Sequence, residues 1–351
     1  MAHETDLIGH LAWADLAAPL AAAEDALARL DERLRASPIR DGWIARSHFA
    51  DACASLWIEG DLVAMEDLVL HDADADVRAP TLQLLRAKSI VDARRLIVSN
   101  GTAWSLSPAG IARLSGEESA QQQLANTLDL DDEQGFLDAA LADIDAALAR
   151  SSHVLSAAFP KGKHTLSSRN LPDNPWFPAW QRAIGALDHL PPVLAAGLLW
   201  DAWEMRPPVP RRRWIGRQLV GAYLAQRGKT QWHLPALNMG LRQTLRERRR
   251  APERVTRLLS WLEAVSACAN AGLREHDRIS VALALLQSKC TDRRSTSRLP
   301  DLVVMVGAYP LITVAMAARE LCISQRAAQN LIDQLGLRET TGRGRYRAWM
   351  L

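Results

Sequence analysis

Apolar residues near the start of the chain recur every three or four positions, and this spacing constrains the fold more than any other feature. The positions are Leu16, Leu20, Ala23, Leu27, Leu30 and Leu34, with charged residues between them. Such a period places the apolar side chains on one face of a long amphipathic helix, which is a candidate interface between two copies of the chain. Alanine and leucine dominate elsewhere and runs of β-branched residues are rare, so the sequence predicts a mainly α fold.

The C-terminal region has the pattern of two short helices joined by a tight turn. Thr313 is a helix N-cap residue, and apolar residues follow it at helical spacing as far as Leu321. Ser324 can cap a second helix, so the pattern predicts a helix-turn-helix. The inward face of that helix would carry Ala328, Leu331, Ile332 and Leu335. Its outward side chains are long and polar and can hydrogen-bond base edges in a major groove; they are Gln325, Arg326, Gln329 and Asn330.

A wing is expected after Gly336, a residue that can end the second helix. The segment LRETTGRGRYRAWML is typical of two short strands around a tight turn. The cations expected to contact phosphate groups there are Arg338, Arg343, Arg345 and Arg347. A solvated basic tail is the alternative. Because helix, turn, helix and wing follow in order, the sequence favours binding of double-stranded DNA.

The wing sequence resembles that of Fic-type proteins, which are adenylyltransferases, and the middle of the chain resembles them too. These proteins carry a loop of pattern HPFxDGNGRxGR before a buried helix, and residues 206–217 here are RPPVPRRRWIGR. In the family the His is the general base, the acid holds magnesium and the GNGR segment cradles phosphates. The resemblance covers residues 45–350 and implies a Fic-like helical bundle followed by a winged helix-turn-helix.

The residues that carry the chemistry of that loop are replaced here. The matching positions hold Arg206 for the His, Pro210 for the acid, and Arg211, Arg212, Arg213 and Trp214 for Gly-Asn-Gly-Arg. Arginine cannot act as a base at neutral pH, and prolines with bulky side chains cannot form a close phosphate-binding nest. The resemblance therefore implies a catalytically dead scaffold with no catalytic residue, metal or cofactor.

One pair of residues keeps the family pattern. Arg217 matches the last arginine of the loop, and the segment SLWIEG at residues 55–60 is similar to the family's inhibitory pattern S/T-x-x-x-E-G/N. In that pattern the glutamate pairs with the last arginine of the loop. The resemblance thus implies a structural ion pair between Glu59 and Arg217 that locks two helices together.

These patterns divide the chain into three expected regions. Residues 1–98 would form an N-terminal helical region with the inhibitory-like motif, residues 99–290 a degenerate Fic-like core, and residues 299–351 the winged helix-turn-helix. The stretch RRSTSRLPDLV and the wing also resemble a group of rhizobial helix-turn-helix proteins. That second resemblance implies no mechanism.

Charge is unevenly distributed along the chain. Residues 1–205 carry 16 Lys and Arg against 30 Asp and Glu, whereas residues 206–351 carry 26 against 10. This polarity suits a protein that presents one face to a polyanion, and it equally suits two halves that attract each other. The densest positive run comprises Arg246, Arg248, Arg249 and Arg250. It is either a solvated cationic face or a second patch that contacts phosphate groups.

Together these features predict a transcriptional regulator that binds DNA, as a homodimer, on an inactive scaffold. Two alternatives stay open: an enzyme with a divergent nucleotide pocket around residues 206–217, and a protein-interaction module whose acidic half binds a partner. No apolar run approaches the roughly 18 to 20 residues that span a bilayer, and no secretory signal is recognisable. We therefore expect no membrane association and a cytoplasmic location. The four cysteines lie far apart along the chain in no CxxC arrangement, so the sequence suggests no zinc site.

Overall fold

A computed structural model describes residues 12–73, 79–115, 177–209, 212–291, 297–340 and 347–351. The described residues are mainly helical, with one small sheet, which confirms the expected mainly α class. The helices of the body are α1 (Trp13–Arg35), α2 (Arg40–Glu59), α3 (Met65–Asp72), α4 (Leu82–Asn100), α5 (Thr102–Ser105), α6 (Pro108–Ser115), α7 (Phe177–Ala186), α8 (Pro192–Met205), α9 (Trp214–Gln226), α10 (Leu237–Leu241), α11 (Arg246–Arg249) and α12 (Arg254–Ser288). The C-terminal elements are α13 (Leu299–Ala308), β1 (Ile312–Thr313), α14 (Val314–Glu320), α15 (Gln325–Leu335), β2 (Arg338–Glu339) and β3 (Ala348–Met350).

The long first helix forms where the apolar spacing predicts it. All six apolar positions of the stripe are buried, from Leu16 to Leu34. They pack mainly against α12, which at 35 residues is about 52 Å long and runs along the body. The prediction that this face joins two copies of the chain is therefore wrong, because α12 of the same chain already covers it.

Helices α8 and α9 lie at the centre of the body and are buried on nearly every side. Their contact is close at Gly216, where an added Cβ would lie 2.3 Å from the indole of Trp203. The same indole packs edge-on against Trp180, with ring centroids 5.0 Å apart. Trp200 is also buried, whereas Trp57 is not a core residue. It lies at the surface beneath the guanidinium of Arg242, 5.2 Å from the ring centroid.

A buried polar network connects α2 to α4, α9 and α10. Arg94 and Asp51 are both fully buried, and Nη1 of the arginine lies 2.7 Å from Oδ2 of the carboxylate. Gln218 and Asn238 also donate to that carboxylate, at 3.0 and 2.9 Å. Nε of Arg94 donates to Nδ1 of His48, and burial, with a further contribution from Arg94, lowers the pKa of that imidazole to about 2. The histidine is therefore neutral, as its acceptor role requires.

The C-terminal elements dock on the N-terminal half of α2. The buried side chain of Arg46 donates to the carbonyl oxygens of Val306, Gly307 and Tyr309, at 2.7, 2.8 and 2.6 Å. The backbones also touch, since a Cβ added to Gly42 would lie 1.9 Å from the oxygen of Gly307. Because the donor is a charged guanidinium and three carbonyl oxygens accept from it, the attachment is strong and directional. The position of the C-terminal domain is thus tied to α2.

Candidate nucleic-acid interface

Two capped helices and a sharp turn build the helix-turn-helix. Oγ1 of Thr313 accepts a hydrogen bond from the amide of Met316, and Oγ of Ser324 accepts one from the amide of Ala327, both at 3.2 Å. Both caps are the ones that the sequence predicts. Between the helices Cys322 adopts a left-handed conformation, with φ of 52°, which turns the chain sharply. Three apolar side chains of the predicted inward face of α15 are buried: Ala328, Ile332 and Leu335.

The polar face of α15 points away from the domain core. Gln325, Arg326 and Asn330 are exposed, whereas Gln329 is half-buried and its Nε2 donates to Oδ1 of Asp333 at 2.8 Å. Gln329 keeps its amide oxygen available, so its hydrogen-bonding capacity is reduced but not exhausted. The four residues predicted to contact bases therefore share one helix face, and their role stays a prediction.

The wing strands pair as the sequence predicts, and a third strand joins them. Strands β2 and β3 are antiparallel, with Arg338 opposite Met350, and β3 also pairs with β1. The sequence did not indicate β1, because two residues are too few for a strand pattern. Arg343 and Arg345 lie outside the described residues, while Arg338 is exposed.

Arg347 is engaged within the wing. Its Nε and Nη2 lie 2.9 and 2.5 Å from one carboxylate oxygen of Glu339, and its guanidinium lies 5.1 Å from the ring centroid of Trp349. The hydrogen bond from Arg347 lowers the pKa of the Glu339 carboxyl below its usual value. A phosphate group that binds Arg347 must therefore compete with or share this ion pair.

A cleft of about 1030 Å³ separates the polar face of α15 from the body. Its lining includes Gln325, Arg326 and Gln329 of α15 together with Phe49 of α2 and Arg95 of α4. Arg95 is held by two hydrogen bonds, of 2.6 and 2.8 Å, to the carboxylate of Asp72. A ligand held against α15 in this cleft therefore also faces the body.

Glu59 lies at the other end of α2 and contacts Arg217, the partner that the Fic-like resemblance implies. Nη2 of Arg217 is 2.7 Å from Oε1 of Glu59, and Nη1 is 3.1 Å from Oε1 of Glu204. Oε2 of Glu59 also accepts from Arg86, at 2.6 Å, so the carboxylate connects α2 with both α9 and α4. The sequence did not indicate Glu204 or Arg86 as further members of this cluster.

A metal centre and a membrane span have no counterpart among the described residues. No three side chains of His, Cys, Asp or Glu come close enough together there to hold a metal ion. None of the described helices combines the length and the apolar character that crossing a membrane requires.

Comparison with known proteins gives this architecture a family. Residues 173–291 match the family model described as "Protein of unknown function (DUF1612)", and residues 299–351 match the one described as "HTH DNA binding domain". "Uncharacterized protein y4cF" of Sinorhizobium fredii is 38% identical over 352 residues, which cover 92% of this chain and 93% of that protein. The resemblance to rhizobial helix-turn-helix proteins is thus confirmed, and the Fic-like resemblance stays a prediction. The chain belongs to the same family as the y4cF protein and ends in a helix-turn-helix DNA-binding domain.

Proposed function

We propose that the protein is a transcriptional regulator that binds duplex DNA through its C-terminal winged helix. The observation that carries this proposal is the exposed polar face of α15, at the first turns of the second helix of a helix-turn-helix. In such domains this part of the second helix enters the major groove. The match to an HTH DNA-binding domain over the same residues supports the assignment.

The side chains divide into two groups by the DNA atoms that they can reach. Amide and guanidinium groups recognise adenine and guanine edges, which suits Gln325, Arg326, Gln329 and Asn330 to base contacts. Cations at the wing suit phosphate contacts, which position the protein without specifying sequence. The proposed phosphate ligands are Arg338, Arg343, Arg345 and Arg347.

The proposal includes a body without catalytic activity. Arg213 donates from Nη2 to both the carbonyl and the carboxylate of Glu204, at 2.7 and 2.9 Å, and Trp214 is buried. Arg212 donates to the carbonyl oxygen of Ser115. These three side chains, at positions that match part of the Gly-Asn-Gly-Arg segment of Fic-type loops, are buried or make intramolecular contacts, while Pro210 and Arg211 lie outside the described residues. Arg206 supplies no base at neutral pH.

A salt titration of the full chain on random duplex DNA tests the proposal. We expect the logarithm of the binding constant to fall linearly with the logarithm of the salt concentration, by about 0.9 for each phosphate neutralised. Arg338→Ala should reduce that slope by about one, equally on all sequences. Arg182→Ala, on the exposed side of α7, removes the same charge from the body and should leave the slope unchanged.

Two results would contradict the proposal. If the wild-type chain shows no binding at low salt, the winged helix is not a DNA-binding surface. If labelled ATP with magnesium modifies the chain or another protein, and Arg217→Ala abolishes that transfer, the body is an enzyme. We expect binding in the first assay and no transfer in the second.

A further inference from the structure

A cavity of about 430 Å³ lies where the body meets the C-terminal elements. The body contributes residues of α2, α10 and α12 to its lining, among them Trp43, Met239 and Gly272. The C-terminal region contributes Pro310 and Met350. The volume is within the range of sites that bind small molecules. A ligand in this cavity would therefore contact the body and the C-terminal domain at the same time.

Most of the cavity wall is apolar. Nε1 of Trp43 donates to the carbonyl oxygen of Gly272 at 3.0 Å, which holds the indole against α12. Burial raises the pKa of the Cys268 thiol to about 12, so this part of the wall is uncharged at neutral pH. Methionines from α3, α10 and β3 also line the cavity: Met65, Met239 and Met350. Methionine side chains are flexible and their sulfur atoms contact aromatic rings favourably, so this wall suits an aromatic ligand.

Two guanidinium groups beside the apolar wall have no carboxylate partner. Glu275, an acidic side chain of the lining, accepts two hydrogen bonds from Arg278, of 2.8 and 2.7 Å. In the part of the chain that the structure describes, no acidic side chain pairs with Arg46 or Arg274. Arg274 is exposed, so its donors are free to bind a ligand.

Arg46 is a buried charge whose partners are all neutral. It is only 5% exposed, and besides its three acceptors in the C-terminal region it donates to the carbonyl oxygen of Gly42 at 2.9 Å. Burial lowers the pKa of its guanidinium to about 10, so the group stays charged at neutral pH. A buried cation without a counter-charge costs free energy, and an anionic ligand beside it would reduce that cost.

We propose that this cavity binds a small aromatic monocarboxylic acid in its ionised form. The aromatic body would pack against Trp43 and the methionines, and the carboxylate would lie at Arg274, near the charge of Arg46. One planar guanidinium with free donors matches one carboxylate in a bidentate pair. Because the lining joins the body to the C-terminal domain, the bound acid would stabilise the docked position of that domain. The effect on DNA binding rests on the proposed function, whereas the binding of the acid does not.

Calorimetric titration of the full chain with naphthalene-2-carboxylate tests the site without any DNA. We expect saturable binding of one molecule per chain at neutral pH. The amide naphthalene-2-carboxamide has nearly the same shape without the charge, and its binding should be about tenfold weaker or more. Acetate has the charge without the aromatic body and should show no measurable binding.

Two variants separate the charge of the site from its volume. Arg274→Gln removes the free guanidinium from an exposed position and should weaken binding of the carboxylate about tenfold or more. Ala271→Phe fills the cavity from a half-buried position of its lining and should abolish binding. Arg182→Gln, on the exposed side of α7, is the charge-matched control and should bind as the wild type does. Circular dichroism melts should show that all three variants are folded.

Four results would overturn this assignment. Heat that does not saturate would mean that the cavity takes no such acid. Equal binding of the carboxylate and the amide would mean that the site accepts neutral apolar molecules and that the arginines play no part. An equal loss with Arg182→Gln and Arg274→Gln would mean attraction by the overall charge. If folded Ala271→Phe binds as the wild type does, the acid binds elsewhere. The salt titration on duplex DNA is independent of all four results, so failure of this site and failure of the proposed function are distinguishable.

Discussion

Replacing Gln325 and Arg326 by glutamate is expected to weaken binding to DNA by about 2 to 6 kcal/mol, which is roughly 30-fold to 20,000-fold. Each side chain is assigned a base contact worth about 1 to 3 kcal/mol, and the new carboxylates would face phosphate groups. The helix itself should persist, because glutamate in the first turn interacts favourably with the helix dipole. Both side chains are exposed, so no packing is lost.

The measurement is an anisotropy titration on a duplex that the wild-type chain has selected from a random pool. Gln243→Glu with Arg182→Glu makes the same change in charge on exposed positions of the body and serves as the matched control. Circular dichroism melts should show that both double variants are folded. If the α15 variant binds as tightly as the control, the recognition surface is elsewhere on the molecule.

Arg94→Met is expected to lower the free energy of unfolding by about 3 to 5 kcal/mol. The substitution leaves the Asp51 carboxylate fully buried without its counter-charge, and the neutral donors Gln218 and Asn238 compensate only in part. Methionine is long, apolar and flexible, which limits the cavity that the change creates. The decrease in the free energy of unfolding should therefore measure the effect of the unpaired buried charge more than the effect of lost packing.

Urea unfolding of the two proteins measures this difference through the transition midpoint and slope. Arg33→Met is the control, since Arg33 forms a single exposed ion pair with Asp277 at 2.7 Å. Such surface pairs contribute about 0 to 1 kcal/mol. Equal losses in the two variants would show that the network around Asp51 contributes no more than a surface pair.

Local features of the C-terminal domain could be predicted because neighbouring residues in the chain determine them. The caps at Thr313 and Ser324 bond amides three residues away, and the apolar spacing of α15 decides which face is buried. The engagement of Arg347 by Glu339 was not predicted, since it depends on the register of β2 with β3. The wing therefore presents fewer free cations in the described residues than its sequence suggests.

In the body, the sequence patterns predicted which residues are buried or charged but not which residues they contact. The stripe of α1 correctly indicated a buried face, but a stripe does not specify its partner, and α12 rather than a second chain covers it. The arginines of the positive run at residues 246–250 lie in two different environments. Arg248 pairs with Glu263 at 2.6 Å, whereas Arg246, Arg249 and Arg250 line a cavity beside Arg217.

The sequence by itself determined the helical class, the helix-turn-helix with its caps, and the polar face of α15, because each depends on spacing within a few residues. Tertiary structure alone decided the partners of Asp51, the docking of the winged helix through Arg46, and the contact of Glu59 with both Arg217 and Arg86. These contacts join side chains that lie far apart along the chain. An isolated polar residue in a helix has the same local pattern whether it faces water or a buried partner, so only the packed fold distinguishes the two.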